Sequence, residues 1–168
     1  MDIIDINRSK HILREQGFRG CIQISNNKQP VFAQAYGYSD FPNKIPNTPE
    51  TKFATASAGK VFVAVAILQL VEDGKLRLQD TLGGILPLNW HKIDTKITVE
   101  QLLMHTSGIP DYFDENVMNE YEDLWKDFPN YRIRTNADLL PLFVYKPMMY
   151  PCGTKFQYNN TGFVVLAM

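Results

Sequence analysis

Two apolar runs near the start set the first elements. Phe18 to Ser25 reads as a β-strand, and a second apolar run, Val31 to Tyr38, follows the turn-rich Asn26-Asn27-Lys28 at hairpin spacing. The next segment, Ser39 to Glu50, sets Pro42, Pro46 and Pro49 among polar residues and predicts an irregular connection. From Ala58 to Asp73 the chain is apolar on nearly every side and stops at Gly74, a pattern that predicts a buried core helix. Its apolar stretch, Val61 to Val71, is interrupted by Gln69 and falls well short of the roughly 20 residues a membrane-spanning helix needs.

Thr98 and Gln101 have capping-box spacing and start a further helix, which runs into the turn His105-Thr-Ser-Gly-Ile-Pro110. An aromatic and acidic stretch, Tyr112 to Tyr131, reads as lid packing or core, with a substrate cleft as the alternative. A short helix is expected around Ala137 to Tyr145, capped by Asn136 despite Pro141. After a turn at Pro151-Cys152-Gly153, Phe163 to Met168 is again helical in pattern. A hairpin followed by a mainly helical region is an α+β pattern, and a lone hairpin is only marginally stable. The reading is therefore one incomplete domain over residues 1–168, with a hairpin segment at 1–53 and a helical region at 54–168. The open strand edge invites pairing with a missing C-terminal part or with a second copy.

Composition narrows the function classes. With 17 basic and 18 acidic residues, the formal net charge of −1 gives no electrostatic reason to expect nucleic acid or an anionic membrane as a partner. Two cysteines, Cys21 and Cys152, are too few for a disulfide framework or a structural zinc site. The first ten residues lack the basic and apolar regions of a secretory leader. That start places the protein in the cytoplasm if it is native, and in the cell envelope or outside if a leader was removed.

The chemistry-bearing candidate is Ser57-Ala-Gly-Lys60. A serine hydroxyl needs a base beside it, and a spacing of three in a helix puts both side chains on one face. Burial in an apolar helix favours a neutral amine, which could serve as that base. A serine at a helix N-terminus also offers its backbone N–H to an oxyanion. On spacing alone, an N-cap serine followed by a surface lysine is the commoner explanation. Tyr158-Asn159-Asn160 is the second candidate, since a phenol near an ammonium can act as a base and the Asn160 amide can bind a substrate amide. A loop tyrosine and a capping asparagine fit those residues equally well.

A phosphate-binding loop over Ala54 to Lys60 fails, because Ala54 stands where glycine is required and Val61 where Ser or Thr is. His105 reads as a turn residue that hydrogen-bonds backbone. Asp111, Asp114 and Glu115 read as a solvated loop, with no histidine near enough to suggest a metal site. Neither a metal nor any other cofactor is expected.

Six segments in order resemble the serine β-lactamase and penicillin-binding protein superfamily, in its class C β-lactamase-related branch. They are Ala35-Tyr-Gly-Tyr38, Pro46 to Phe53, Ser57 to Lys60, Ile67 to Leu76, Leu102 to Pro110 and Pro151 to Asn160. The resemblance implies a β-lactamase/transpeptidase-like fold in which Ser57 is acylated, Lys60 and Tyr158 share proton transfer, and Asn160 orients the substrate amide. It implies a small-molecule or peptide substrate, whether β-lactam, D-amino-acid peptide or ester, or else a non-catalytic penicillin- or peptide-binding module. The third motif of that family, Lys-Thr-Gly or His-x-Gly on a C-terminal strand, has no match after Tyr158. The expectation is thus an N-terminal part that lacks the last strands of the sheet and is a weak catalyst by itself.

Overall fold

The computed structural model describes residues 5–168, so the first four positions of the leader reading lie outside it. The chain separates into two compact units, the first ending at Thr55 and the second running from Ala56 to Met168.

The first unit opens with a helix that hydrophobic patterning had not suggested, α1 (Ile6–Glu15). Its cap is Asp5, whose carboxylate accepts the Arg8 N–H at 3.0 Å. None of its residues is buried, so it lacked the continuous apolar stripe by which a core helix is found. The expected hairpin follows as β1 (Gly20–Asn26) antiparallel to β2 (Gln29–Tyr36). Asn27 and Lys28 make the turn with φ of 47° and 66°, the left-handed pair that matches strand twist.

The connection expected to be irregular is instead a second small hairpin, β3 (Tyr38–Asp40) with β4 (Ile45–Pro46). Asp40 closes it by accepting the Asn43 backbone N–H at 3.0 Å and its side-chain amide at 2.8 Å. This local polar turn is what the three prolines obscured.

The second unit starts with a 3-10 turn, Ala56–Gly59, that runs directly into α2 (Lys60–Glu72). Gly74 ends it at φ 67°, as the pattern required. The expectation that α2 is buried does not hold. Only Ile67 is buried, whereas Val61 and Phe62 are 64% and 72% exposed, and Val65, Leu68 and Leu70 are exposed as well. Apolar composition reports how much surface a helix would bury, and it does not supply the layer that buries it.

The core lies elsewhere, among short elements and loops: α3 (Leu82–Ile85), α4 (Val99–Leu103) and the segments around them. Ile97, Ile109 and Phe143 are fully buried at its centre, with Trp90 and Leu102 packed beside them. The capping box of α4 is present in both directions, Gln101 N–H to Thr98 Oγ1 at 3.2 Å and Thr98 N–H to Gln101 Oε1 at 3.0 Å. The aromatic and acidic stretch contributes a 3-10 turn at Tyr121–Asp123 and the single-turn helix α5 (Leu124–Asp127). The helix expected near Ala137 is a 3-10 segment, Asn136–Leu142, and its cap is Thr135 rather than Asn136. There the Asp138 carboxylate accepts the Thr135 N–H at 2.7 Å.

The final helix, α6 (Asn160–Leu166), is held by a zipper of backbone bonds between two distant segments. Met149 N–H donates to Gly108 O at 2.8 Å, Gly153 N–H to Thr106 O at 2.8 Å, and Gln157 N–H to His105 O at 3.0 Å. His105 adds its ring: Nδ1 accepts the Asn159 N–H at 3.1 Å, and the imidazole stacks against Tyr158 at 4.8 Å and Phe163 at 5.1 Å. His105 is therefore a turn residue bonded to backbone, at φ 56°.

Gly108 sits at φ 67°, and a Cβ there would stand 2.1 Å from the Tyr150 carbonyl oxygen. Gly108→Ala should lower stability by at least about 2 kcal/mol, read as a drop in urea midpoint at unchanged slope. Burial, aided by the charge of Lys60, lowers the His105 pKa below its ordinary 6.5. The neutral ring is the form that accepts from Asn159. Its contribution to stability is complete above pH 6.5 and is lost as pH falls through the lower, folded-state value. NMR titration should give a His105 midpoint below 6.5, with the Asn159 amide resonance moving at the same midpoint.

Candidate active site

Ser57 lies in the 3-10 turn just ahead of α2, exposed to solvent, and is preceded by Ala56 at φ 45°. A left-handed backbone at a residue with a Cβ is a strained arrangement, and it turns the chain sharply at the serine. Lys60 is the first residue of α2, three positions on. Its Nζ donates to Ser57 Oγ at 3.0 Å and to Asn160 Oδ1 at 2.9 Å. Tyr158 donates its phenol O–H to the same Ser57 Oγ at 2.7 Å. Four residues singled out in the sequence, separated by up to about a hundred positions, thus meet around one hydroxyl.

The lysine is half-buried, at the start of a helix that is itself largely exposed. Its charge is met by neutral oxygens and by two aromatic faces, Tyr158 at 4.9 Å and Phe163 at 5.9 Å from the ring centroids. Tyr158 reaches the serine because the zipper described above fixes Gln157 and Asn159 on either side of it. Asn159 does not face the serine. Its side chain caps α6 by accepting the Gly162 N–H at 2.8 Å, and it donates to Ile109 O at 2.8 Å.

One residue read as part of a solvated loop is placed quite differently. Asp111 is 5% exposed, and its carboxylate accepts the Asn160 N–H at 2.7 Å, the Thr161 N–H at 3.1 Å and the Thr161 hydroxyl at 3.1 Å. Burial raises its pKa, opposed by hydrogen bonds from Asn160, Thr161 and Phe113. The sequence signal was faint. Asp111 follows directly on Ile109-Pro110 and so belongs to the buried end of the turn, whereas Asp114 and Glu115 lie further out.

Around the site, Phe113, Tyr121 and Trp125 form an edge-to-face chain with centroids 4.8 and 5.4 Å apart. Burial, with Tyr121 beside it, pushes the Tyr112 phenol well above its ordinary value. A cavity of about 150 Å³ lined by Asp111, Glu115, Asn116, Gln157 and Tyr158 opens beside the tyrosine. A larger hollow, about 640 Å³ and lined by Leu86, Ile133 and Arg134 among others, contains none of the four residues around Ser57. Among the described residues no cluster of three or more His, Cys, Asp or Glu could hold a metal ion. Nor is any helix among them long and apolar enough to cross a membrane.

The penicillin binding protein of Bacillus halodurans, in its crystal structure, superposes with a TM-score of 0.84 at 40% identity, over 94% of this chain and 47% of that one. The PbpX protein of Bacillus subtilis (strain 168) is 38% identical over 125 residues, 74% of this chain and 32% of its own length. Protein flp of Staphylococcus aureus (strain MW2) is 31% identical over 151 residues, 88% of this chain and 28% of its own length. The chain therefore spans about a third of the length of the curated relatives it matches. The superposition shows a β-lactamase/transpeptidase-like α+β fold. The family model described as Beta-lactamase matches residues 9–168, and the chain belongs to that family, within the serine β-lactamase and penicillin-binding protein superfamily.

Proposed function

We propose that Ser57 is the nucleophile of an acyl transfer, with Lys60 and Tyr158 sharing its proton and Asn160 orienting the substrate amide. The observation that carries this reading is the double contact on one oxygen, Tyr158 at 2.7 Å and Lys60 at 3.0 Å from Ser57 Oγ. A serine becomes a competent nucleophile when a neighbour in its basic form can take its proton at hydrogen-bond distance, and here two neighbours can. A structural N-cap would instead turn Oγ toward a backbone N–H of α2, whereas the N-cap position of that helix is Gly59 and Ser57 Oγ faces Lys60 Nζ and the Tyr158 hydroxyl.

In the reaction, Ser57 Oγ attacks a carbonyl carbon and its proton passes to Tyr158 or Lys60. The tetrahedral intermediate then collapses as the bond to the leaving nitrogen or oxygen breaks, and the same proton goes to that leaving atom. Water or another acceptor releases the acyl group by the reverse sequence. The Ser57 backbone N–H, in the turn ahead of α2, would donate to the oxyanion. The substrates that suit this chemistry are β-lactams, peptides ending in D-amino acids, and esters. Membership of the class C-related branch, and the reading of residues 1–168 as one incomplete domain of a longer protein, belong to the same proposal.

Intact mass after incubation with a fluorescent penicillin or a fluorophosphonate tests it. Wild type should gain one adduct, and Ser57→Ala none. Tyr158→Phe and Lys60→Ala should each slow adduct formation by about a hundredfold or more at full folding. A folded wild type that takes up neither reagent would sink the assignment. A penicillin adduct that forms and never turns over would favour a penicillin- or peptide-binding module over a hydrolase; the fluorophosphonate adduct, which does not turn over on any serine hydrolase, reports the nucleophile alone.

A further inference from the structure

Neither the acyl-transfer chemistry nor the four residues around Ser57 explain why a carboxylate should be buried directly behind Asn160. Burying an ionisable group is costly unless its oxygens are satisfied, and Asp111 satisfies both of its own at one place, the start of α6. Oδ2 accepts the Asn160 N–H at 2.7 Å and lies 3.4 Å from the Asn160 side-chain nitrogen. Oδ1 accepts the N–H and the hydroxyl of Thr161, each at 3.1 Å, and lies 3.4 Å from the Phe113 N–H.

The Asn160 side chain is held at both ends. Its nitrogen faces acceptors only, Asp111 Oδ2 and Phe113 O, both at 3.4 Å, and its oxygen faces the Lys60 ammonium at 2.9 Å. An amide rotated by half a turn would set its NH₂ against the ammonium and its oxygen against the carboxylate. Asp111 thus selects one of two amide orientations as well as fixing the backbone from which the amide projects. The charged groups around this link are Lys60 on α2 and Lys146, whose Nζ donates to the Asp111 backbone oxygen at 3.0 Å. Glu115 lines the adjoining cavity.

We infer that Asp111 is a positioning residue for acylation: by locking the Asn160 amide with its oxygen toward Lys60, it holds the lysine against Ser57. The inference rests on the acyl-enzyme reading of Ser57. Among the described residues no hydrogen bond links Asp111 to Ser57, and its bonds to Asn160 are the route by which it acts on the site. Removing its charge should loosen the amide and, with it, the lysine. A displacement of about 1 Å in such a constellation lowers rate by up to about a hundredfold.

The test is the time course of labelling by a fluorescent penicillin, followed by intact mass at several reagent concentrations. Wild type, Asp111→Asn and Thr161→Val are compared, each corrected for its folded fraction by near-ultraviolet circular dichroism. Thr161→Val removes the hydroxyl bonded to Asp111 and to the Tyr112 N–H, so it disturbs the same buried cluster while leaving the Asp111–Asn160 link intact.

The expected result is that Asp111→Asn lowers the saturating acylation rate about ten- to a hundredfold with the half-saturating concentration little changed, while Thr161→Val loses stability but keeps its rate. Equal saturating rates for wild type and Asp111→Asn, or an equal loss in both variants, would overturn the inference and leave Ser57 as nucleophile. Absence of label from folded wild type would overturn both. If Asp111→Asn does not fold, Asp111→Ser, which also removes the charge but keeps a hydroxyl acceptor, is read against the same outcomes.

Discussion

The first N–H groups of any helix have no partner within it, and the start of α6 is buried, so those groups must find acceptors from outside. Asp111 takes the N–H of Asn160 and of Thr161, and the Asn159 side chain takes that of Gly162. Much of the second unit follows from this requirement. The loop after the His105–Gly108 turn has to pass under the helix start, which brings Asp111 and the Ile109 carbonyl to it. The chain leading into α6 has to run beside the turn, which lets it zip to His105, Thr106 and Gly108. Tyr158 and Asn160 flank the cap residue, and their places beside Ser57 and Lys60 come from the same arrangement.

Local signals in the sequence were readable because the physics behind them is local. The turn at Asn27-Lys28, the Thr98–Gln101 capping box and the glycine after α2 each depend on a few adjoining residues. What patterning missed depends on partners far away in the chain. Asp111 looked like Asp114 and Glu115, its acidic neighbours, and only the return of Asn160 and Thr161 some fifty positions later makes it a buried acceptor. The Ser57 and Tyr158 motifs were each weak alone for the same reason. Their ordered companions made them worth pairing, and the fold supplies the contact that spacing could not.

The misreading of α2 has a different source. Its residues from Val61 to Leu70 have the apolar content of a core helix, and in hydropathy alone nothing separates such a helix from an exposed one. Loop-borne residues supply much of the core instead: Trp90, Ile93, Ile97 and Ile109 lie outside the regular helices. Such residues have no period to detect, because irregular segments place side chains by backbone hydrogen bonds specific to each turn.

The electrostatics of the site follow from the same loop. Among the described residues Lys60 is the one cation bonded to Ser57, and the oxygens it bonds are a hydroxyl and an amide, with no carboxylate of those residues in direct contact to neutralise it. The exposed lysines Lys75 and Lys126, in contrast, pair with Asp73 and Asp123. The charge of Lys60 reaches His105, where it adds to burial in favouring the neutral ring, and that neutral ring is what accepts the Asn159 N–H beside Tyr158. The carboxylate nearest along the bonded chain is Asp111, one amide away. An amide between a carboxylate and an ammonium satisfies both without letting them form an ion pair, and its dipole points in the direction that both prefer. A direct Asp–Lys contact would hold the ammonium more firmly but would draw it off the serine. Placing Asn160 between them fixes the lysine through geometry and leaves its remaining hydrogen-bonding capacity for Ser57 Oγ.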